Sequence, residues 1–414
     1  MLPLQTDASL PAASVSATAV GIYVHIPFCH HRCTYCDFNI YAGMRSLHER
    51  YARAVASEIA VRSSSVPPAA LRGSSRDDSY RAATIYFGGG TPSLFPREHI
   101  ALILDAIRGR FAVDPDAEIS FEANPRPVDD GFFAELRALG VNRLSLGMQS
   151  AVERDLHLFR RGHTFDDVAQ TVRIARAAGF DNLNLDLIYG IPGQSLDDWR
   201  VTLQAALSLA PEHLSAYSLQ VEEGTTLKKW IAQGKLPRPD DDLAADMFDL
   251  AEEMLAEAGF AHYEISNWAR ATPGSNFQPL VARHNLIYWR NQVYLGFGCG
   301  AHACLGGRRF ANVRHPRAYV EAIEAGHGVE AESEWISREL EMGETMMLGL
   351  RLLLEGVAFD RFALRFGADL REVYRREIER LSRQGLIELT TDRLRLSRRG
   401  RLIGNQVFGA FLPD

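Results

Sequence analysis

A chain of 414 residues, 46 % hydrophobic and 23 % charged, has the composition of an ordinary globular protein with material for a large core. Its formal net charge of −7 counts against a nucleic-acid-binding surface, and five cysteines, an odd number, count against a disulfide scaffold and for a reducing compartment. Met1–Val20 lacks the basic residues and the continuous apolar stretch of a secretory signal, and no uncharged apolar run reaches the ~18 residues of a membrane span. The expectation is a cytoplasmic protein with a disordered lead over 1–20 and no transmembrane segment.

From Gly21 onward, strand-like runs alternate with amphipathic segments. The expected strands are Ile22–His25, Thr84–Phe87, Glu118–Glu122, Arg143–Leu146, Asn182–Leu187 and His213–Ser218. Between and after them, Pro96–Arg110 carries Ile100, Ile103, Leu104 and Ile107 at helical spacing, and Asp242–Ala258 does so with Leu243, Met247, Leu250 and Met254 before Gly259. Successive βα units imply a parallel sheet, and six rather than eight of them imply an α/β partial (βα)6 TIM-like barrel. Ser63–Arg81, rich in Ser, Pro and mixed charge, reads as a surface insertion, and Lys235–Asp240 as a linker. Val281–Asn312 is Gly- and aromatic-rich and irregular. Helices are expected from Met346 to Leu354, near Asp360–Phe366 and over Leu370–Arg383, then a hairpin of Leu386–Leu389 with Arg393–Leu396. These make an α-rich, winged-helix-like C-terminal domain over 336–414, after a barrel core over 21–235 and an extension over 236–335. Its many arginines alternate with Glu and Asp, which points to a salt-bridged surface rather than to nucleic acid.

Three of the five cysteines, Cys29, Cys33 and Cys36, form a C-x3-C-x2-C group directly after the first strand. Three thiolates this close suggest a metal centre with one coordination position left for something else. Zinc could take His25, His30 or His31 as a fourth ligand, but it usually clamps two separated ligand pairs. An iron–sulfur cluster is the other possibility. Further polar motifs fall at the C-terminal ends of expected strands, where barrel active sites form: Gly88-Gly89-Gly90-Thr91-Pro92, Glu122-Ala-Asn-Pro125, Gly147-Met148-Gln149 and Asp186 before Tyr189-Gly190. Singly, each could be a turn or a strand-end carboxylate. Their placement on one face makes a shared site the better reading.

The triad, with aromatic Tyr35 two residues past its second cysteine, followed by GGGTP, resembles the radical S-adenosylmethionine superfamily. The resemblance implies a [4Fe–4S] cluster on Cys29, Cys33 and Cys36, with S-adenosylmethionine on the fourth iron. The closer match is to the coproporphyrinogen-dehydrogenase-like branch, over nearly the whole chain. It implies that Tyr23 and Tyr35 lie beside the cofactor, that Gly89, Gly90 and Thr91 contact its methionine part, and that Glu122 binds its ribose. Gln149, Arg161 and Asp186 match further polar positions that the dehydrogenase also uses for a second cofactor molecule.

Within that branch, oxygen-independent coproporphyrinogen dehydrogenases carry a fourth cysteine two residues after the third, where this chain has Phe38, and an N-terminal extension contributing to the substrate site, whereas here the triad begins 28 residues from the start, after a polar lead. Both departures count against porphyrinogen decarboxylation. His284-Asn285-Leu-Ile-Tyr288-Trp289 resembles the HNxxYW motif of haem chaperones of the HemW type. An imidazole can ligate haem iron and the two aromatics can pack on a macrocycle, although the same group also suits a hydrogen-bonded core. The resemblance implies haem as cargo with His284 as its ligand. The partners it implies are haem-accepting proteins, such as membrane-associated respiratory enzymes, and an electron donor for the cluster. The alternatives are the dehydrogenase or another radical enzyme. Cys299, in a Gly-rich run with His302 and Cys304, reads as a packed thiol rather than a cluster ligand.

Overall fold

The computed structural model describes residues 19–62, 80–125, 131–270 and 280–413. Almost all of the lead over 1–20 and of the insertion at Ser63–Arg81 lies outside the described residues. The described residues form two compact units, one of residues 19–254 together with 293–334, the other of 255–292 together with 335–413. This division cuts the expected 236–335 extension: residues 255–292, His284 among them, pack with the C-terminal segment.

The first unit holds the barrel. Strands β1 (Ala19–Ile26), β2 (Arg81–Gly89), β3 (Ala112–Ala123), β4 (Arg143–Gln149), β5 (Leu183–Tyr189) and β6 (His213–Ser218) lie in chain order, each parallel to the next. All six expected strands are present, most of them longer than their apolar cores. Side chains alternate between the two faces of a strand. Ile22, Val24, Ile85, Phe87, Phe121, Leu144, Leu146, Leu185 and Leu187, fully buried, form the apolar parity. The helix Arg97–Arg110 buries Ile100, Ile103, Leu104 and Ile107 completely. Each such side chain contributes roughly 1.5–3 kcal/mol, so Ile103→Asp would break this packing.

The opposite parity is polar. Tyr23 pairs in register with Tyr86, Tyr86 with Ser120 and Ser120 with Arg143. One step along, Glu122 pairs with Ser145, Ser145 with Asn184 and Asn184 with His213. A barrel interior of this kind is a site rather than a packed core. After β4 comes the short helix Glu153–Leu158, and capping boxes at Thr164/Asp167 and Ser195/Asp198 start the helices Phe165–Ala177 and Leu196–Ser208, the second of which fixes where the loop after β5 ends.

Beyond β1 the sheet continues on its other edge in elements the irregular Val281–Asn312 pattern did not announce. Strand β7 (Tyr294–Phe297) runs parallel to β1, followed by antiparallel β8 (His302–Leu305) and β9 (Arg308–Asn312) and an outer strand, Glu330–Trp335.

In the second unit, a hairpin of Phe260–Glu264 with Asn267–Arg270 precedes the helix Arg283–Trp289. The helix expected up to Leu354 is Arg338–Gly349, because the chain then turns to pair with the hairpin: Leu353 N donates to Tyr263 O at 2.9 Å. The helix expected over Leu370–Arg383 breaks at Tyr374 into Leu370–Val373 and Arg375–Arg383. Ile387–Leu389 and Arg393–Leu396 form the expected hairpin, joined by Val357–Ala358 as a third strand, around a core that includes Met346, Phe362, Leu381 and Leu394. No described helix is long and apolar enough to cross a membrane.

Candidate cluster and cofactor site

The cysteine loop leaves β1 through Pro27 and is pinned at several points. Thr34 Oγ1 donates to Leu158 O at 2.8 Å, Leu227 N donates to Thr34 O at 2.8 Å, and the Arg32 guanidinium spans the carbonyls of Cys36, Phe38 and Ile40. Cys29, Cys33 and Cys36 are all partly exposed free thiols. Burial raises the pKa of Cys29 and pushes that of Cys36 up to about 11, and the neighbouring cysteines raise both further. Three thiolates that repel one another at one place fit a cationic iron–sulfur cluster, whose charge would hold them ionised. Among the described residues, no three His, Cys, Asp or Glu side chains are gathered closely enough to form a single-ion site.

A continuous chain of polar contacts joins two of these cysteines. Cys29 Sγ lies 3.4 Å from Thr91 Oγ1, which accepts from Asn124 Nδ2 at 3.3 Å. Asn124 Oδ1 accepts from Arg161 at 2.8 Å, and the same guanidinium reaches Gly147 O at 2.9 Å and Cys33 Sγ at 3.6 Å. Asn124, absent from the expected site residues although it sits in the quoted Glu122-Ala-Asn-Pro125 run, therefore links strand ends β3 and β4 to the cysteine loop.

Gly89 has φ +118°, and a Cβ there would meet the His25 ring at 2.5 Å; a Cβ on Gly90 would meet Phe28 O at 2.7 Å. The backbone passes too close to the end of β1 and to Phe28 for any side chain, and its N–H groups are held within the fold, with Gly90 N donating to Ile26 O at 2.8 Å and Thr91 N to Phe28 O at 2.9 Å. Gly89 N donates to Glu122 Oε2 at 3.1 Å and Tyr86 OH donates to Glu122 Oε1 at 2.8 Å. Burial pushes the Glu122 carboxyl up to about 7, against the pull of those two donors. His25 Nε2 donates to Asn39 O at 2.9 Å, so Nδ1 accepts from Tyr23 OH at 2.9 Å; burial brings this imidazole down to about 4 and keeps it neutral. With Tyr23 and Tyr86 stacked 6.2 Å apart, this wall is aromatic and uncharged.

On β5, Asp186 accepts from Ser145 Oγ at 2.9 Å and Asn184 Nδ2 at 2.8 Å, and burial raises its pKa. The Arg143 guanidinium, 2 % exposed, stabilises the charged forms of both Asp186 and Glu122. Arg143 and Tyr86 were not among the expected site residues; both share the strand parity of residues that were. Gln149 ends β4 in the left-handed region, φ 68°, and is buried. Tyr35 packs edge-on to Phe159 at 4.5 Å. The structure thus joins Cys29, Thr91, Asn124, Arg161 and Cys33 in one chain of contacts, and sets beside it, on neighbouring residues of the same strand ends, Tyr23 bonded to His25 and Glu122 bonded by Tyr86 and Gly89. Cys299 is fully buried, bonded by Tyr51 OH at 3.5 Å, and its thiol is pushed up to about 12.

A family model described as the radical SAM superfamily matches residues 23–206, and one described as the HemN C-terminal domain matches residues 336–403. A Mycobacterium tuberculosis protein named heme chaperone HemW is 38 % identical over 412 residues, covering 99 % of each chain. The chain belongs to the HemW family of radical S-adenosylmethionine proteins. An Escherichia coli K12 protein of the same name is 32 % identical over 414 residues, covering 97 % of this chain and 100 % of that one. The solved structure of the E. coli coproporphyrinogen III oxidase HemN superposes with a TM-score of 0.78 at 21 % identity, covering 95 % of this chain and 90 % of that one, which is a likeness of fold.

In this HemW family chain, the residue after Asp37 is Phe38, 64 % exposed. His284 lies on the helix Arg283–Trp289 of the second unit, 1 % exposed, with Nε2 2.8 Å from the Tyr288 hydroxyl. Ligation of iron through Nε2 would require that hydroxyl to leave.

Proposed function

We propose that this protein is a haem carrier that binds a [4Fe–4S] cluster, S-adenosylmethionine and haem, and passes haem to acceptor proteins. The observation that carries this reading is similarity along the whole chain, through both units, to proteins named heme chaperones. The superfamily implies the cluster and S-adenosylmethionine. Bound together, cluster and cofactor supply a route to reductive cleavage of the sulfonium.

Cys29, Cys33 and Cys36 would hold the cluster. Thr91 presents a hydroxyl to Cys29, and the Arg161 cation beside Cys33 offsets thiolate charge. Gly89 and Gly90, where no side chain fits, would let the charged amino-acid end of the cofactor approach closely, and Glu122 would accept from its ribose hydroxyls in place of its present donors. Gln149 and Asp186 would complete the polar floor, and Tyr23 with Tyr35 the aromatic sides. An electron donor must reach the cluster, and the acceptors are haem-requiring proteins.

The test is anaerobic reconstitution, iron and sulfide counting, haem titration, and incubation with coproporphyrinogen III, S-adenosylmethionine and reductant. Stoichiometric haem binding without CO2 release is the expected result. Turnover to protoporphyrinogen would replace the carrier reading with the dehydrogenase, and zinc without iron–sulfur absorbance would remove the cluster.

A further inference from the structure

Much of the cysteine loop is taken up by the fold. Thr34 is bonded to Leu158 and Leu227, Cys29 and Cys33 face Thr91 and Arg161, and Phe28 packs 4.2 Å from His48 and 5.2 Å from Tyr51. Directly after Cys36, Asp37 and Phe38 stay on the surface, and the Phe38 ring is 64 % exposed. The backbone under that ring is fixed: Phe38 O accepts from Ile40 N at 2.8 Å and from the Arg32 guanidinium at 3.4 Å. One exposed apolar side chain is ordinary on a protein surface. This one stands on a held loop two residues from a cysteine of the triad, so a partner that covers it has little ordering to do.

The surroundings of the ring are cationic. Arg32 is exposed and gives its donors to the carbonyls of Cys36, Phe38 and Ile40, which do not neutralise it. Asn39 Nδ2 donates to Arg314 O at 3.0 Å, and Tyr41 packs edge-on against His315 at 5.2 Å, which brings the exposed residues Arg314 and His315 to the same edge of the loop. Burial raises the pKa of Tyr41 while Arg314 and Arg32 pull it back, so both guanidiniums act at that hydroxyl. Among the described residues Arg314 has no ion-pair partner. Asp37 is the one carboxylate of this stretch, against two guanidiniums. Aromatic side chains and arginines are the groups enriched where proteins meet, and this charge selects an acidic partner.

Electron transfer falls steeply with distance, so a donor must touch the surface nearest the cysteines. We propose that Phe38, Arg32 and Arg314 form the docking face for the electron donor, a small acidic protein that carries single electrons. This rests on the reading that Cys29, Cys33 and Cys36 hold a cluster. The donor is oxidised by one electron, the cluster is reduced by one, and no bond of this chain forms or breaks. The experiment uses the full-length, cluster-loaded protein and, as probe, a flavodoxin with a strongly acidic surface. Binding is read by isothermal titration at low and high salt, and cluster reduction by photoreduced flavodoxin or by dithionite is read by electron paramagnetic resonance. The wild-type protein should bind flavodoxin at low salt and lose affinity as salt rises. Arg314→Glu should weaken binding and slow reduction by flavodoxin roughly tenfold, and Phe38→Ala about fivefold or more. Iron and sulfide content, and the extent of reduction by dithionite, which needs no protein surface, should stay at the wild-type level in both. Wild-type binding and reduction by flavodoxin in both variants would overturn the docking face. So would a wild-type protein that dithionite reduces and flavodoxin does not, or variants that lose reduction by dithionite as well. A wild-type protein that takes up no iron and sulfide would overturn the cluster reading itself.

Discussion

Glu122→Gln removes the most strongly placed carboxylate of the site and makes a signed prediction. In the cofactor-free fold this carboxyl is raised from 4.5 to about 7, burial being the main cause and Asp186 adding to it. At 1.36 kcal/mol per unit, that shift corresponds to up to about 3 kcal/mol. The fold prefers the protonated acid, so the stabilisation is fully present below the unfolded pKa and is lost as pH rises through about 7. A glutamine is close in shape to the neutral acid and does not titrate. The two proteins should therefore have similar stability near pH 4.5, and the variant should become the more stable one by up to about 3 kcal/mol at pH 8 and above. Other groups, such as His25 with its opposite shift, cancel in the difference. Urea unfolding of both cofactor-free proteins at a series of pH values measures it. A difference that is flat across pH 5–8, or that grows on acidification, would refute the burial argument.

Other outcomes follow from the same geometry. Cys29→Ala, Cys33→Ala and Cys36→Ala should each abolish iron and sulfide incorporation, whereas Cys299→Ala, at a thiol held by Tyr51, should keep the wild-type iron content. Gly89→Ala places a Cβ against the His25 ring at φ +118°, so it should cost ~1–3 kcal/mol of stability and weaken S-adenosylmethionine binding in isothermal titration. Arg161→Gln removes the cation 3.6 Å from Cys33 Sγ, which should make the cluster harder to reduce; redox titration checks this, and an unchanged or raised potential would count against it.

The six barrel strands were legible because their apolar parity is simple: Ile22 with Val24, Ile85 with Phe87, Leu144 with Leu146. The polar parity of the same strands is equally present in the sequence, but its meaning is not local. Arg143 reads as an ordinary strand-edge cation until the fold sets it between Glu122 and Asp186, contributed by two other strands. Asn124 likewise has no value of its own before Thr91 and Arg161 meet it. Strand β7 was missed because Tyr294–Phe297 is short and glycine-bearing, and its identity as a strand comes from pairing with Gly21–Val24. The helix break at Tyr374 and the early end at Gly349 are also tertiary effects, since local spacing continues through both. His284 was legible as a motif, whereas its burial and its bond to Tyr288 depend on how the second unit packs.

That last contact makes the iron ligand decidable. If His284 ligates haem through Nε2, the Tyr288 hydroxyl at 2.8 Å competes with iron for the same lone pair or holds the proton that must leave. Exchange of that hydrogen bond costs about 0.5–1.5 kcal/mol, so Tyr288→Phe should tighten haem binding by roughly two- to tenfold. If haem is held elsewhere, Tyr288→Phe and His284→Ala should both leave haem affinity and the Soret band unchanged. Equilibrium titrations of the two variants under one set of anaerobic conditions separate the cases. A weaker haem complex in Tyr288→Phe, with His284→Ala unaffected, would contradict the competition at His284 and point to direct packing of the tyrosine on the macrocycle, the role its neighbour Trp289 suggests for this helix.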